Sequence, residues 1–334
     1  DNFFSVITPI VNTGLTQTYS NLTVTKQYRA LVQNGVCASV YSAVVEITVN
    51  PNSAGGVISS ADTVCISSNG GTLSLSGFLG TVIQWETSTD NFSTVIVPVS
   101  NTSNSFTYSN LTTSTYFRAQ IQNTGCAIAY PAPVLITVDP VSVGGTLNNS
   151  SVVCANANSG TINLVGETGS ILRWEISTDN FVSNISTVAN TTNADNYLNL
   201  VSTTYYRTIV QSGVCAAAAS NVVAVTVNPA SVPGTIIGAK NVCVEGNGSS
   251  LVLVGYSGTI LQWELSHDNF STSAIIPNYT DTYNYTNITT PTSLRALVQY
   301  SPCPAVYSPA FDFIVNPATV GGMIEGNSVV EKNT

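Results

Sequence analysis

The sequence predicts an all-β protein, a rod of tandem immunoglobulin-like β-sandwich repeats of about 89 residues each. Three observations carry this. First, the chain repeats itself at a fixed period: "QWETSTDNF" at 84–92 returns as "RWEISTDNF" at 173–181 and as "QWELSHDNF" at 262–270, and self-similarity at such a period marks a repeat architecture. Second, apolar residues alternate with polar ones, as in half-buried strands, and no segment carries a helical stripe. Third, turn signals such as "SNGG", "STDN" and "NTG" separate these short runs, the spacing expected of a sandwich.

The units follow from the period. "VNP" or "VDP" begins at Val49, Val138, Val227 and Val315, and an Arg recurs at Arg29, Arg118, Arg207 and Arg295. The expected divisions are the C-terminal part of one repeat at 1–50, whole repeats at 55–139, 144–228 and 233–316, and the start of another at 318–334. Asp1-Asn2-Phe3 stands 89 residues before Asp90-Asn91-Phe92, so the chain is expected to be a window from a longer repetitive polymer.

Within a unit, Leu73 and Leu75, Ile162 and Leu164, and Leu251 and Leu253 mark an early strand. On the next, Ile83 and Trp85 are expected to face inward and Gln84 and Glu86 outward, by the period of two. "TYFRAQIQ" places Phe117, Ala119 and Ile121 inside and Arg118 outside, and "PVLITVD" buries Val134, Ile136 and Val138. Trp85, Trp174 and Trp263 are the expected centres of three cores, each indole N–H needing a partner.

"STDNF" reads as a turn, because Asp and Asn bond their own backbone and tolerate turn geometry. The sharper alternative is calcium near Asp90, Asp179 and Asp268. Calcium takes six to eight oxygens, usually with several carboxylates, whereas each unit offers one Asp, with Glu86, Glu175 or Glu264 four residues earlier. Those glutamates are expected to form exposed cross-strand pairs, Glu86 with Arg118, Glu175 with Arg207 and Glu264 with Arg295, contributing at most about 1 kcal/mol each.

The seven cysteines form two series: Cys65, Cys154 and Cys243 early in a unit, and Cys37, Cys126, Cys215 and Cys303 late. Two pairings fit. Within units, Cys65–Cys126, Cys154–Cys215 and Cys243–Cys303 leave Cys37 unpaired. Across linkers, Cys37–Cys65, Cys126–Cys154 and Cys215–Cys243 leave Cys303. The first is expected, because an opening strand lying parallel beside the final one would put both cysteines at one end. Glu331 at the early-Cys position of the next unit points the same way. A loop of about 60 residues contributes roughly 4 kcal/mol in the chain-entropy account, and regular pairing implies an oxidising, extracytoplasmic location.

Composition narrows function. Charged residues are 7% and net charge is −9, with eight Lys and Arg in all; a basic nucleic-acid groove or long-range attraction to anionic lipid cannot be built from these. No apolar run has the length of a membrane span. Nothing reads as catalytic: His267 is the sole histidine, no closely spaced Cys pair suggests zinc, and no phosphate loop is present. An enzyme is not expected, nor a cofactor or metal. Most sequons, such as Asn110, Asn190 and Asn287, are expected by chance in an Asn- and Thr-rich chain, with glycosylation the lesser alternative.

Cys154, Trp174, Glu175, Asp179, Tyr206, Arg207 and Cys215 fall in a unit that resembles the tandem immunoglobulin-like repeats of very large Bacteroidetes surface proteins, in particular SprB-like adhesins of gliding motility. The resemblance spans the chain. It implies type IX secretion, attachment outside the outer membrane, and partnership with the gliding or secretion machinery; Asp62-Thr63-Val64 is similar to that group's O-glycosylation signal. The expected function is the stalk of a secreted cell-surface adhesin, extending a binding region toward a surface polysaccharide or other extracellular ligand. The alternatives are a self-assembling filament or sheath, and a carbohydrate-binding array using Tyr279, Tyr283 and Tyr285.

Overall fold

A computed structural model describes residues 7–59, 61–66 and 68–326. Asp1-Asn2-Phe3 and Glu331, and the end of the expected 318–334 segment, lie outside the described residues. Among these, every regular element is a strand, and no helix is long and apolar enough to cross a membrane. Contacts divide the chain into two units, 1–141 together with 212–216, and 142–211 together with 217–334.

The first unit holds the second repeat. Its strands are β1 (Val57–Ile58), β2 (Asp62–Cys65), β3 (Gly70–Ser76), β4 (Thr81–Ser88), β5 (Val97–Val99), β6 (Ser105–Ser109), β7 (Thr115–Gln122) and β8 (Val134–Asp139). They form two open sheets, β1-β3-β6 and β2-β8-β7-β4-β5. All neighbours are antiparallel except β2 and β8, which run parallel. Leu73 and Leu75 from one sheet meet Trp85, Phe117, Ala119, Ile121 and Ile136 from the other in a common core. This is an immunoglobulin-type sandwich, in which alternation along each strand supplies one half of the core. Ahead of it, Lys26–Tyr28 pairs with Val45–Ile47 and Leu31–Val32 with Val40–Tyr41.

The second unit holds the third and fourth repeats, each with its own core around Trp174 or Trp263. The parallel pair recurs as Ser151–Cys154 with Val223–Asn228, and as Asn241–Cys243 with Ile314–Asn316.

The inward set of β4 differs from simple alternation. Val82 is buried and Ile83 is 41% exposed, because β4 carries a bulge: Gln84 pairs with Gln120 and Val82 with Ile121, leaving Ile83 without an opposite residue. One extra residue reverses every face beyond it. The third and fourth repeats skip Leu172 and Leu261 in the same way. Val138 is only half-buried.

Each Trp is fully buried, and its Nε1 donates to a carbonyl in the turn before the next strand: Ser103 at 2.9 Å, Thr192 at 2.9 Å, Thr280 at 3.0 Å. An Asn shapes that turn. Asn101 Oδ1 accepts from Ser103 N and its Nδ2 donates to Ser105 O, and Asn190 and Asn278 do the same. Replacing Trp174 by Ala removes the largest core side chain and orphans that carbonyl. Denaturant unfolding should show a loss of about 3–5 kcal/mol in the repeat that carries it.

Candidate functional site

Two constellations recur in every complete repeat, one on the outer face of the larger sheet and one where consecutive repeats meet.

On the outer face, Arg118 stands directly opposite Glu86, with Nε 2.7 Å from Oε2. Arg207 pairs with Glu175 at 2.6 Å and Arg295 with Glu264 at 2.7 Å. These are not exposed pairs, and the sequence-based expectation is corrected here: Glu86 is 3% exposed. The cover comes from aromatic rings. The Arg118 guanidinium lies 3.9 Å from the Phe92 ring centroid and 4.3 Å from that of Tyr130; Arg295 lies between Phe270 and Tyr307 at 4.0 and 3.8 Å. In the third repeat Ala219 replaces the tyrosine, and Arg173 supplies a second cation to Glu175 at 2.7 Å. Truncating one member of a covered pair strands the other and costs about 3–5 kcal/mol, more than a surface pair is worth.

The turn places the ring. Asn91 and Phe92 both have positive φ, 57° and 62°, which swings the phenyl ring back over Arg118. Ser88 Oγ accepts from Asp90 N and Phe92 N and donates to Asp90 Oδ1. The Asp90 carboxylate also accepts from Thr94 N, Thr94 Oγ and Val95 N. Its oxygens are engaged by its own loop, and the same holds around Asp179 and Asp268. Hydrogen bonds from Thr94, Ser183 and Thr272 lead the causes that hold these three carboxyls below the usual range. Burial pushes Glu175 and Glu264 up, but donors including Arg207 for one, and Tyr307 and Arg295 for the other, outweigh it and leave both lowered. Among the described residues no cluster of three or more His, Cys, Asp and Glu could hold a metal. His267 Nδ1 faces Pro291 O and Thr292 at the surface.

The tyrosine platform that the alternative of a carbohydrate-binding array would use does not form. Tyr283 stacks on Trp263 at 5.6 Å and Tyr285 packs edge-on to Phe313 inside the core, leaving Tyr279 exposed.

The cysteines require a correction. The bonds are Cys65–Cys215 and Cys154–Cys303, with Cα–Cα distances of 5.0 and 4.9 Å and sequence separations of 150 and 149 residues. Cys65–Cys126, Cys154–Cys215 and Cys243–Cys303 do not form; Cys126 and Cys243 join Cys37 as free thiols. The reason is strand polarity. β2 does lie parallel to β8, but Cys65 ends β2 opposite Asp139, the last residue of β8. Cys126 precedes β8, so six residues of strand, about 20 Å, separate the two positions. The early cysteine therefore marks the exit of its repeat, where it meets the late-cysteine turn of the following one.

That turn is seated by the linker. Cys215 Sγ lies 3.1 Å from Pro140 O, and Val214 N donates to Asp139 Oδ2 at 3.0 Å. Gly213 has positive φ, and a Cβ there would occupy the place of the Asp139 carboxylate. Cys303 Sγ lies 3.1 Å from Pro229 O, and Asn228 Nδ2 donates to Ser301 O. The free Cys126 occupies the same seat, 3.4 Å from Pro51 O, with Asn50 Nδ2 donating to Thr124 O. Sequence reasoning missed the Asn that fixes the early cysteine's turn. Asn69 Nδ2 bonds Cys65 O and Leu111 O while its Oδ1 accepts from Leu111 N, and Asn158 and Asn247 repeat this. Their own 89-residue recurrence was the available signal.

The family described as "Domain of unknown function (DUF8696)" matches at residues 1–51, 54–140, 143–229 and 232–317. The chain belongs to this family, with four tandem copies. No curated protein matches it. Among solved structures, it is similar to one concerning host cell surface retention of a 1.5-MDa bacterial ice-binding adhesin, at 12% identity, covering 80% of this chain and 100% of that chain with a TM-score of 0.38. Domains of chicken CNTN1 align at 12% identity over 79% of this chain and 99% of that chain, TM-score 0.29. Domains from titin align at 12% identity over 76% and 96%, TM-score 0.34.

Non-reducing peptide mapping should return the Cys65–Cys215 and Cys154–Cys303 peptides and no Cys65–Cys126 peptide. Acidification should loosen the DUF8696 repeats in a definite window. Carboxyls held low in the folded state contribute fully above the unfolded value of about 4 and lose that contribution as pH falls below it. Unfolding midpoints should thus be flat above about pH 5 and fall below pH 4, with Asp179→Asn flattening that acid limb.

Proposed function

We propose that this chain is the repetitive stalk of a large secreted cell-surface adhesin, exported by the type IX route, attached outside the outer membrane, and serving surface adhesion and gliding motility. Its action is mechanical and steric: it holds a binding region away from the cell. One observation carries the reading. The disulfides join the second repeat to the third and the third to the fourth, and neither closes within a repeat. A module that binds ligand alone gains nothing from such a bond, whereas a tether gains a covalent joint at each junction so bonded. The rest agrees. The linkers are short, Pro-containing and hydrogen-bonded to the neighbouring turn, disulfides persist in oxidising compartments, and the sparse charge suits neither nucleic acid nor anionic lipid. The resemblance to gliding adhesins supplies the route of export and the machinery as partners.

The test is an in-frame deletion of the segment matching residues 54–317 in the producing cell. Antibody to the chain should label intact, unpermeabilised cells, and the deletion should reduce attachment to glass and spreading on agar while the shortened protein still reaches the surface. The purified chain should bind nothing on a glycan array. Array binding by the chain itself, lateral assembly into filaments, or normal adhesion after the deletion would each overturn the reading.

A further inference from the structure

The two disulfides interleave: the loop closed by Cys65–Cys215 contains Cys154, and the loop closed by Cys154–Cys303 contains Cys215. We infer that this staggered pairing makes the chain a nearly inextensible covalent tether, in which pulling force passes between repeats through sulfur and bypasses most of the backbone. The inference follows from the pairing alone and does not need the stalk reading.

Tension takes the shortest covalent route. Without disulfides, Cys65 and Cys303 are separated by 238 residues, about 830 Å when fully drawn out at roughly 3.5 Å per residue. With them, the route crosses from Cys65 to Cys215, returns along the backbone to Cys154, and crosses to Cys303. It uses the 61 residues between positions 154 and 215, about 210 Å. Complete loss of folded structure therefore lengthens the oxidised segment to only about a quarter of the reduced one.

The free thiols show how the pattern extends. Cys126 occupies the seat that Cys215 and Cys303 fill, against the carbonyls of Asn50 and Pro51. Cys243 ends its strand opposite Asn316, as Cys65 does opposite Asp139 and Cys154 opposite Asn228. Any array that keeps both cysteines in each repeat carries two parallel covalent routes. One runs through Cys65–Cys215 and then the 28 residues to Cys243; the other runs through the 28 residues from Cys126 to Cys154 and then to Cys303. Each route spends about 100 Å of backbone on two repeats. The 60 or so residues that hold a repeat's Trp and its Glu–Arg pair form a rung between the routes, so the sandwich interior is shielded from the load.

Single-molecule stretching of the purified, oxidised 334-residue chain by its two ends tests this. Adding reductant should increase the final contour length by about 177 residues, roughly 620 Å. The variant Cys65→Ser with Cys215→Ser should lengthen the oxidised chain by about 28 residues, roughly 100 Å, and Cys126→Ser, which breaks no bond, should leave it unchanged. The idea is overturned if reductant adds no length, or if Cys126→Ser lengthens the chain by about 200 Å, the result that bonds inside each repeat would give. The two tests fail distinguishably: bonds inside each repeat would overturn this inference and remove the pairing that supports the stalk reading while leaving the measured adhesion phenotype as it is, and an unchanged adhesion phenotype would leave this inference standing.

Discussion

The short parallel ladder between Asp62–Cys65 and Val134–Asp139 is the constraint on which the rest depends. Parallel strands end at the same side, so a cysteine at the end of the first is delivered to the exit of the last. Had the opening strand paired antiparallel, the early cysteine would lie near the late-cysteine turn of its own repeat, and each sandwich would be a closed, self-stapled bead. The parallel arrangement turns the same two cysteines outward along the chain. Each bond closes a loop of about 150 residues, which in the chain-entropy account corresponds to roughly 5 kcal/mol for one such loop taken alone.

The repeated phrase W-E-x-S-x-D-N-F is a complete local instruction. Trp fills the core and is tied to the next turn; Glu, on the opposite face, binds the Arg of the neighbouring strand; Ser and Asp close the loop; Asn and Phe take positive φ so that the ring covers the Arg. Every residue type in the phrase has a distinct physical task, which is why it recurs with so little change. Where the covering tyrosine is lost, at Ala219, an arginine appears at 173 beside the same glutamate. The buried carboxylate needs its donors, and the repeat supplies them from a different direction.

The surface follows from a similar economy. With 7% charged residues, the polar side chains are mostly Ser, Thr and Asn, and the same side chains make the hydrogen bonds that shape the turns: Asn69, Asn101 and their counterparts each satisfy two or three backbone groups. Polar side chains here are structural parts first.

The sequence by itself determined the period, the strand character, the sandwich class, and the identity of the core Trp and the Glu–Arg partners, because these depend on alternation and on residues that recur at one spacing. The bulge at Ile83 was not legible, since an inserted residue changes facing without changing composition. Nor was the covered state of the glutamates, which depends on rings brought from a loop and from a residue following the late cysteine. The cysteine pairing was decided only by the tertiary structure. Spacing along the chain gives every cysteine of a series the same set of candidates, and only the direction of one strand relative to another determines which end of the repeat each occupies and hence which neighbour it can reach.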